Sequence, residues 1–267
     1  MNVISLGFRT DLALLKRAGS TVEDRGDHLV VLSPDNPSFY WGNFLLLDHV
    51  PRADRVEEWL ERFETALPDA AHRAFGFDVS RATVDDVSGF AERGLKVEVS
   101  TVMTASRVRP PAHPNREATC RALEFESDWS QSVDLQISCY GSDEPVGHRE
   151  FVTRRAMSNR ALAAGGHGQW FGAFIDDVLV AQMGLVSAGP GLARFQSVET
   201  HPDYRSRGLA GTLAHYVSGY GFDELGAQTL VIVADPDYLA IRIYRAIGFT
   251  DSESQLRAER APNPKQV

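Results

Sequence analysis

The chain has 267 residues, 43% of them apolar and 24% charged, and 27 basic against 36 acidic side chains leave a formal net charge of -9. This balance excludes disorder, collagen and a continuous coiled coil as descriptions of the whole, and neither half carries the basic surplus of a nucleic-acid footprint. No aliphatic run approaches the ~20 residues of a membrane helix, no basic-then-apolar leader opens the chain, and Cys120 and Cys139 supply neither a disulfide framework nor a metal-ligand spacing. The expectation is a cytoplasmic protein with reduced thiols and no nucleic-acid, membrane or metal partner.

In chain order, three-to-four spacing predicts a helix over 10–18, and alternation predicts strands over 28–33 and 40–49. A helix over 53–66, a strand over 71–79, a helix over 83–92 and a strand over 95–104 follow. The segment Arg109-Pro110-Pro111-Ala112-His113-Pro114-Asn115 has three prolines in five positions, which deny donors and fix φ, so 109–115 reads as a linker. Beyond it come a strand over 118–127, helices near 130–139 and 148–164, and strands over 168–175, 178–187 and 192–200. A helix over 206–221, a strand over 228–234, a helix over 237–246 and a strand over 249–259 complete the order. The fold class is mixed α/β (α+β), with domains at 1–108 and 116–267.

A single shift of 154 residues relates the halves. It places Gly94 on Gly248, Phe90 on Tyr244, Ser33 on Ser187, Val79 on Val233 and Trp41 on Phe195, and it lays helix 53–66 on 207–220 without a gap. One offset serving several elements reads as an internal duplication.

The chemistry concentrates in 194–249. In Val198-Glu199-Thr200-His201-Pro202-Asp203-Tyr204-Arg205-Ser206-Arg207-Gly208-Leu209-Ala210-Gly211, an apolar strand gives way to a proline turn and a small-residue helix start. The unpaired N–H groups and positive dipole at such a start suit a diphosphate. Gly208 permits close backbone approach, Ala210 and Gly211 withhold side-chain bulk, and Arg205 and Arg207 add charge. Further on, Asp237 fits an N-cap, Ala240, Ile243, Tyr244 and Ile247 share a helical face, and Gly248 ends the helix. Taken alone, Tyr244 is a core residue with its hydroxyl satisfied by a neighbour.

Together the two strings resemble the Gcn5-related N-acetyltransferase (GNAT) superfamily. Arg205, Gly208 and Ala210 match its R/Q-x-x-G-x-G/A motif, and Ala240, Tyr244, Gly248 and Phe249 match N-x-x-A-x-x-x-Y-x-x-x-G-F, over a resemblance spanning roughly 116–260. The resemblance implies two GNAT-like domains, each a mixed, mostly antiparallel sheet flanked by helices and splayed at the acyl-CoA strand. It implies acetyl-CoA as co-substrate, held by Val198, Glu199 and Thr200 along the pantetheine and by Arg205, Ser206, Arg207, Gly208, Leu209, Ala210 and Gly211 at the diphosphate. Tyr244 would protonate the departing thiolate as a small amine-bearing acceptor attacks directly in a ternary complex. Asp237 stands where the family usually has Asn, and Arg194 stands where some members have a glutamate base. Glu199 is then the nearest carboxylate in the strand, but alternation points it away from Val198 and Thr200, which puts a water chain or a residue from another segment ahead of it as the base. The alternative to an N-acetyltransferase is a non-catalytic acyl-CoA-binding module, and either is expected as a monomer or homodimer.

Under the 154-residue shift, Pro51, Asp54, Val56 and Glu57 replace Arg205, Gly208, Ala210 and Gly211, and Phe90 replaces Tyr244. Two carboxylates where a diphosphate belongs, and a ring without its hydroxyl, describe a degenerate copy over 1–108. The charged residues of helix 53–66 read as a solvated face. Arg154, Arg155 and Arg160 read as surface residues, the alternative implied by the resemblance being recognition of an anionic group at the acceptor site, and His201 reads as turn chemistry before Pro202.

Overall fold

A computed structural model describes residues 1–81, 83–140 and 147–262. Its first half contains α1 (Leu6–Arg17), β1 (Thr21–Asp24), β2 (His28–Leu32), β3 (Phe44–Leu47), α2 (Val56–Ala66), β4 (Arg73–Phe77), α3 (Ser88–Ala91) and β5 (Lys96–Ala105). There follow β6 (Thr119–Ala122), α4 (Glu126–Tyr140), α5 (His148–Ala164), β7 (Gly168–Ile175), β8 (Val178–Gly189) and β9 (Leu192–Thr200). The chain closes with α6 (Leu209–Asp223), β10 (Thr229–Ala234), α7 (Ala240–Ile247) and β11 (Thr250–Arg260). Two compact units result: Met1–Val102 with the chain from Ser252 onward, and Met103–Asp251.

In the first unit the strand order is β1-β2-β3-β4-β11-β5. The β1–β2, β2–β3 and β4–β11 pairs are antiparallel, while β3–β4 is parallel. Phe44, Leu45, Leu46 and Leu47 are all at most 1% exposed. This run is apolar without alternation because side chains pack on both faces of β3. One face meets Trp59, Leu60 and Phe63 of α2 with Phe90 of α3, and the other meets Phe8, Leu12 and Leu15 of α1. The second unit orders its strands β10-β9-β8-β7-β6, antiparallel except for the parallel β10–β9 pair. Its main core lies between these strands and α6 and α7.

Several boundaries differ from the sequence expectation, each for a local reason. Of the strand expected over 40–49, Tyr40–Gly42 instead forms a 3₁₀ turn. Asn43 fixes it, donating from Nδ2 to the Asn36 and Phe39 carbonyls at 3.0 and 2.9 Å and accepting from the Ser33 N–H at 3.0 Å. The strand expected over 118–127 stops at Ala122, because Asp128 draws the Glu124 and Phe125 N–H groups (3.0 and 3.1 Å) into the start of α4. Strand β1 has no apolar alternation to announce it. The units also do not divide at 109–115 as expected. That segment belongs to the second unit, and the chain from Ser252 belongs to the first, where β11 pairs with β4 through Leu256–Phe77 and Ala258–Phe75.

The 154-residue shift has a structural counterpart at two helix ends. Gly94 and Gly248 are both left-handed, with φ of 76° and 116°. After α3, the Gly94 and Leu95 N–H groups donate to the Ala91 and Phe90 carbonyls; after α7, those of Gly248 and Phe249 donate to Arg245 and Tyr244. Every donor and acceptor in the second set is its first-set equivalent plus 154. Helix α2 likewise lands within α6, and β5 lands on β11.

The Asp128 carboxylate is 2% exposed and takes both Nη groups of Arg121 at 2.6 and 2.8 Å. The Arg121 guanidinium, with the two backbone donors, holds its pKa down at about 2. A depressed carboxylate contributes stability above its unfolded value and loses it as pH falls through the folded one. Asp128→Asn is therefore expected to cost about 2 kcal/mol at pH 7, with the difference from wild type shrinking between roughly pH 4 and pH 2, as read by urea denaturation across that range.

Candidate active site

Strand β9 carries a bulge. Its register with β8 runs Ala181–Thr200 and Gln182–Glu199, then resumes at Gly184–Gln196, so β9 spends three steps where β8 spends two. Ser197, at φ 49°, takes the left-handed turn that absorbs the extra residue. Consequently Phe195 and Val198, three apart, both pack on the main core, while Gln196 and Glu199 share the opposite face. Glu199 does point away from Val198, as alternation suggests. The bulge, however, puts it on the face covered by α4 and α5. The β10–β9 pairing extends only over Thr229–Leu192, Leu230–Ala193 and Val231–Arg194, so the bulged half of β9 lies beyond the paired stretch.

Glu199 accepts a hydrogen bond at Oε2 from Nε2 of Gln182, which is fully buried and also donates to the Ser132 carbonyl at 3.3 Å. The Glu199 side chain retains some exposure, yet its carboxyl sits in low-dielectric surroundings. Burial pushes its pKa up to about 7 against the opposing pull of the Gln182 bond and the Arg155 charge. Such a carboxylate changes protonation at neutral pH, which suits a general base. Thr200 turns its carbonyl outward, where it accepts from Cys139 Sγ (3.4 Å) and Arg205 Nε (3.3 Å).

The chain then turns through Pro202–Tyr204, where His201 Nδ1 accepts the Asp203 N–H at 3.3 Å in the turn role expected of it. Ser206 and Gly208 are both left-handed, with φ of 62° and 76°, and α6 starts at Leu209 rather than at 206. Among the described residues, no acceptor takes the backbone N–H groups of Ser206, Arg207, Gly208, Leu209, Ala210 or Gly211. A helix start with this row of free donors is a ready anion site. Arg207 stacks its guanidinium 4.9 Å from the Tyr204 ring centre.

The glycines of the motif also make room for the chain itself. A Cβ on Gly208 would meet the His113 carbonyl oxygen at 2.4 Å, and one on Gly211 would meet Pro111 and Ile243 at 3.3 Å. The proline-rich segment is thus packed onto the motif. Asn115 donates from Nδ2 to the Arg207 carbonyl (2.9 Å) and from its N–H to Thr212 Oγ1 (2.8 Å). Arg109 reaches the Ala246 and Ile247 carbonyls at the end of α7. The segment braces both motif helices.

Tyr244 lies on the buried face of α7, 4% exposed, its ring edge-on to Phe249 at 6.4 Å. Its hydroxyl has no hydrogen-bond partner among the described residues, contrary to the plain core reading. Burial first, and Tyr238 second, raise its pKa above the ordinary phenol range, so it stays protonated at neutral pH. Asp237 does not cap α7, which begins at Ala240 after Leu239; its N–H donates to Asp235 Oδ1 (2.8 Å) and its side chain is exposed. Arg194, also singled out, is 5% exposed and donates to the Phe195 carbonyl.

Sequence reading missed Gln182, which reaches Glu199 from β8, Ser132, whose carbonyl on α4 takes the same Gln182 amide, and Cys139, which reaches the Thr200 carbonyl from α4. No local motif marks them. Arg154 and Arg160 pair with Glu150 and Glu126 on the surface, while Arg155 reaches Gln196 Oε1 at 3.3 Å. No helix is long and apolar enough to cross a membrane, and no metal-holding group of His, Cys, Asp or Glu occurs, among the described residues. Because Gly208 is left-handed and faces backbone, Gly208→Ala is expected to lower stability by about 2 kcal/mol in the ligand-free protein, seen as a lower Tm by calorimetry.

Comparison with known proteins places this geometry. Residues 129–249 match the model of the Acetyltransferase (GNAT) family. No curated protein matches the sequence. Among solved structures, a GCN5-related N-acetyltransferase from Kribbella flavida is 14% identical, with a TM-score of 0.65 over 97% of each chain. A conserved protein of unknown function from Staphylococcus epidermidis is 11% identical, with a TM-score of 0.72 over 90% of this chain and 93% of the other. A tandem GNAT protein from the clavulanic acid biosynthesis pathway is 15% identical, with a TM-score of 0.54 over 83% of this chain and 76% of its own. At these identities the likeness is one of fold, and it extends across both units. The matched family model sets an acetyltransferase domain of the GNAT family at residues 129–249, within the second unit.

Proposed function

We propose that the second unit is an N-acetyltransferase, passing the acetyl group of acetyl-CoA to the amine of a small acceptor by direct attack in a ternary complex. The observation that carries this reading is the unpartnered run of N–H groups from Ser206 to Gly211, at the end of the strand that holds Glu199. These amides, with Arg205 and Arg207, would hold the diphosphate, and the backbone of Val198, Glu199 and Thr200 would lie along the pantetheine. The exposed Asp237 carboxylate makes no comparable fit to an anion and is left out of the cradle.

Acetyl-CoA supplies the activated acyl carbonyl. Glu199 takes a proton from the acceptor's ammonium or amine, so that nitrogen can attack that carbonyl carbon. Main-chain N–H groups in the stretch of β9 beyond its pairing with β10 would stabilise the developing oxyanion. Tyr244 delivers its hydroxyl proton to the sulfur as the carbon–sulfur bond breaks. A phenol raised by burial is a weak acid in water, but the same desolvation makes the departing thiolate more basic, which keeps the transfer matched. No covalent enzyme intermediate is needed.

In the first unit, Phe90 is 1% exposed and packed between Phe75 and Phe77, while Glu57 pairs with Arg93 and Asp54 with Arg52. These contacts support the reading of a degenerate copy with no acyl-CoA cradle.

Two measurements test the proposal. Tyr244→Phe is expected to lower kcat by about 10²-fold in a thiol-release assay across an amine panel, with little change in CoA affinity. Tight CoA binding without turnover on any amine would favour the binding module instead. Ala210→Asp adds a carboxylate that suits the α6 dipole but repels a diphosphate, so the fold should persist while CoA affinity drops at least about 100-fold by calorimetry. Wild type should bind one CoA per chain; two would overturn the degenerate reading of the first unit.

A further inference from the structure

We infer that Gln182 is a positioning residue for Glu199, holding the carboxylate toward the α4–α5 face and turning its amide to accept the carboxyl O–H once Glu199 has taken a proton. This rests on the reading of Glu199 as the base. Gln182 and Glu199 are directly opposed across β8 and β9, a register that exists only because of the bulge at Ser197. The amide is fully buried and its orientation is dictated by its neighbours: Nε2 faces two acceptors, Glu199 Oε2 and the Ser132 carbonyl. The cost of that arrangement is visible. Oε1 is buried with no hydrogen-bond partner among the described residues. Buried amide oxygens are nearly always satisfied, and an orphan beside a titrating carboxyl calls for an explanation.

The pairing is matched to one protonation state. An ionised carboxylate only accepts, so it requires the Nε2 side of the amide. A protonated carboxyl has one O–H to donate, and the carbonyl oxygen that could receive it is the orphaned Oε1 on the same side chain. Rotation about the last side-chain bond exchanges the two faces. The other groups facing Glu199 cannot substitute. Arg155 on α5 only donates, and Cys139 on α4 is committed to the Thr200 carbonyl, with burial pushing its thiol pKa up. Arg205 likewise only donates, and its Nε is bonded to that same carbonyl. In balance, one proton passes from the acceptor nitrogen to Glu199, no electrons move beyond the acyl transfer itself, and the proton leaves to solvent before the next turnover.

The test follows the Glu199 carboxyl directly, by carbon NMR of protein labelled at the glutamate side-chain carboxyl, with Glu199→Gln identifying its resonance. Gln182→Met keeps length and burial but removes the amide. Gln182→Glu is closer in shape and guards against a folding defect in the first variant. In both, Glu199 is expected to titrate at higher pH than in wild type, since a bond favouring the charged form is gone. The acid limb of kcat/KM should move upward with it, and kcat at pH 7 should fall about tenfold with the KM for acetyl-CoA nearly unchanged. An unmoved Glu199 titration and wild-type kcat in both variants would overturn the positioning role alone. An acid limb that survives in Glu199→Gln would overturn the base assignment, and this inference with it.

Discussion

The turn between β9 and α6 combines two opposing properties: its backbone donors are free, as an anion site would require, yet the turn itself is held in place. Free donors ordinarily mean a loose loop, because backbone hydrogen bonds are what fix a loop's shape. Here rigidity comes from the acceptor side and from sterics. Ser206 and Gly208 are both held in left-handed conformation, Gly208 abuts the His113 carbonyl, and Asn115 clasps the Arg207 carbonyl and the Thr212 hydroxyl. The carbonyls are spoken for while the N–H groups are not. The rest of the site depends on that asymmetry, since an anion bound to preorganised donors loses little affinity to ordering the chain.

The bulge in β9 is the second constraint. An unbroken strand would send every other residue to the apolar core, and Glu199 would follow Phe195 into it. One additional residue at Ser197 reverses the faces downstream, so that Val198 packs on the core and Glu199 meets Gln182, whose amide also donates to the Ser132 carbonyl. The same irregularity lies where β9 has parted from β10. A single backbone distortion therefore sits in the stretch of β9 no longer paired with β10 and aims the carboxylate. Desolvation then moves Glu199 into the neutral range without a charged neighbour to do so.

Comparison of the two units shows what a GNAT-like fold requires apart from chemistry. The glycine-terminated helix end persists in both, with the same bonds at Gly94 and Gly248, because it connects a helix to a strand whatever the unit does. The ring at Phe90 persists too, since a core needs its volume. The hydroxyl and the small residues of the cradle do not. Packing preserves the frame in both units, whereas the small residues answer to a proline-rich brace packed on Gly208 and Gly211 in the second unit.

The sequence by itself determined the mixed α/β class, the long elements from 148 to 260, the duplication offset and the two motif strings, because periodicity and glycine placement act over a few residues. It singled out Arg205 to Gly211 and Tyr244 as the residues of a candidate site. Only the tertiary structure decided which atoms those residues meet. Gly208 answers to a carbonyl ninety-five positions earlier rather than to ligand space alone, and the proline-rich stretch is a brace of the second unit. Asp237 loses its capping role because α7 starts three residues later. Gln182 and Ser132 joined the site through strand pairing and helix docking, which no local pattern encodes. The return of β11 to the first unit was equally invisible, since a strand's own residues specify that it pairs, whereas its partner is chosen by register and burial across the whole chain.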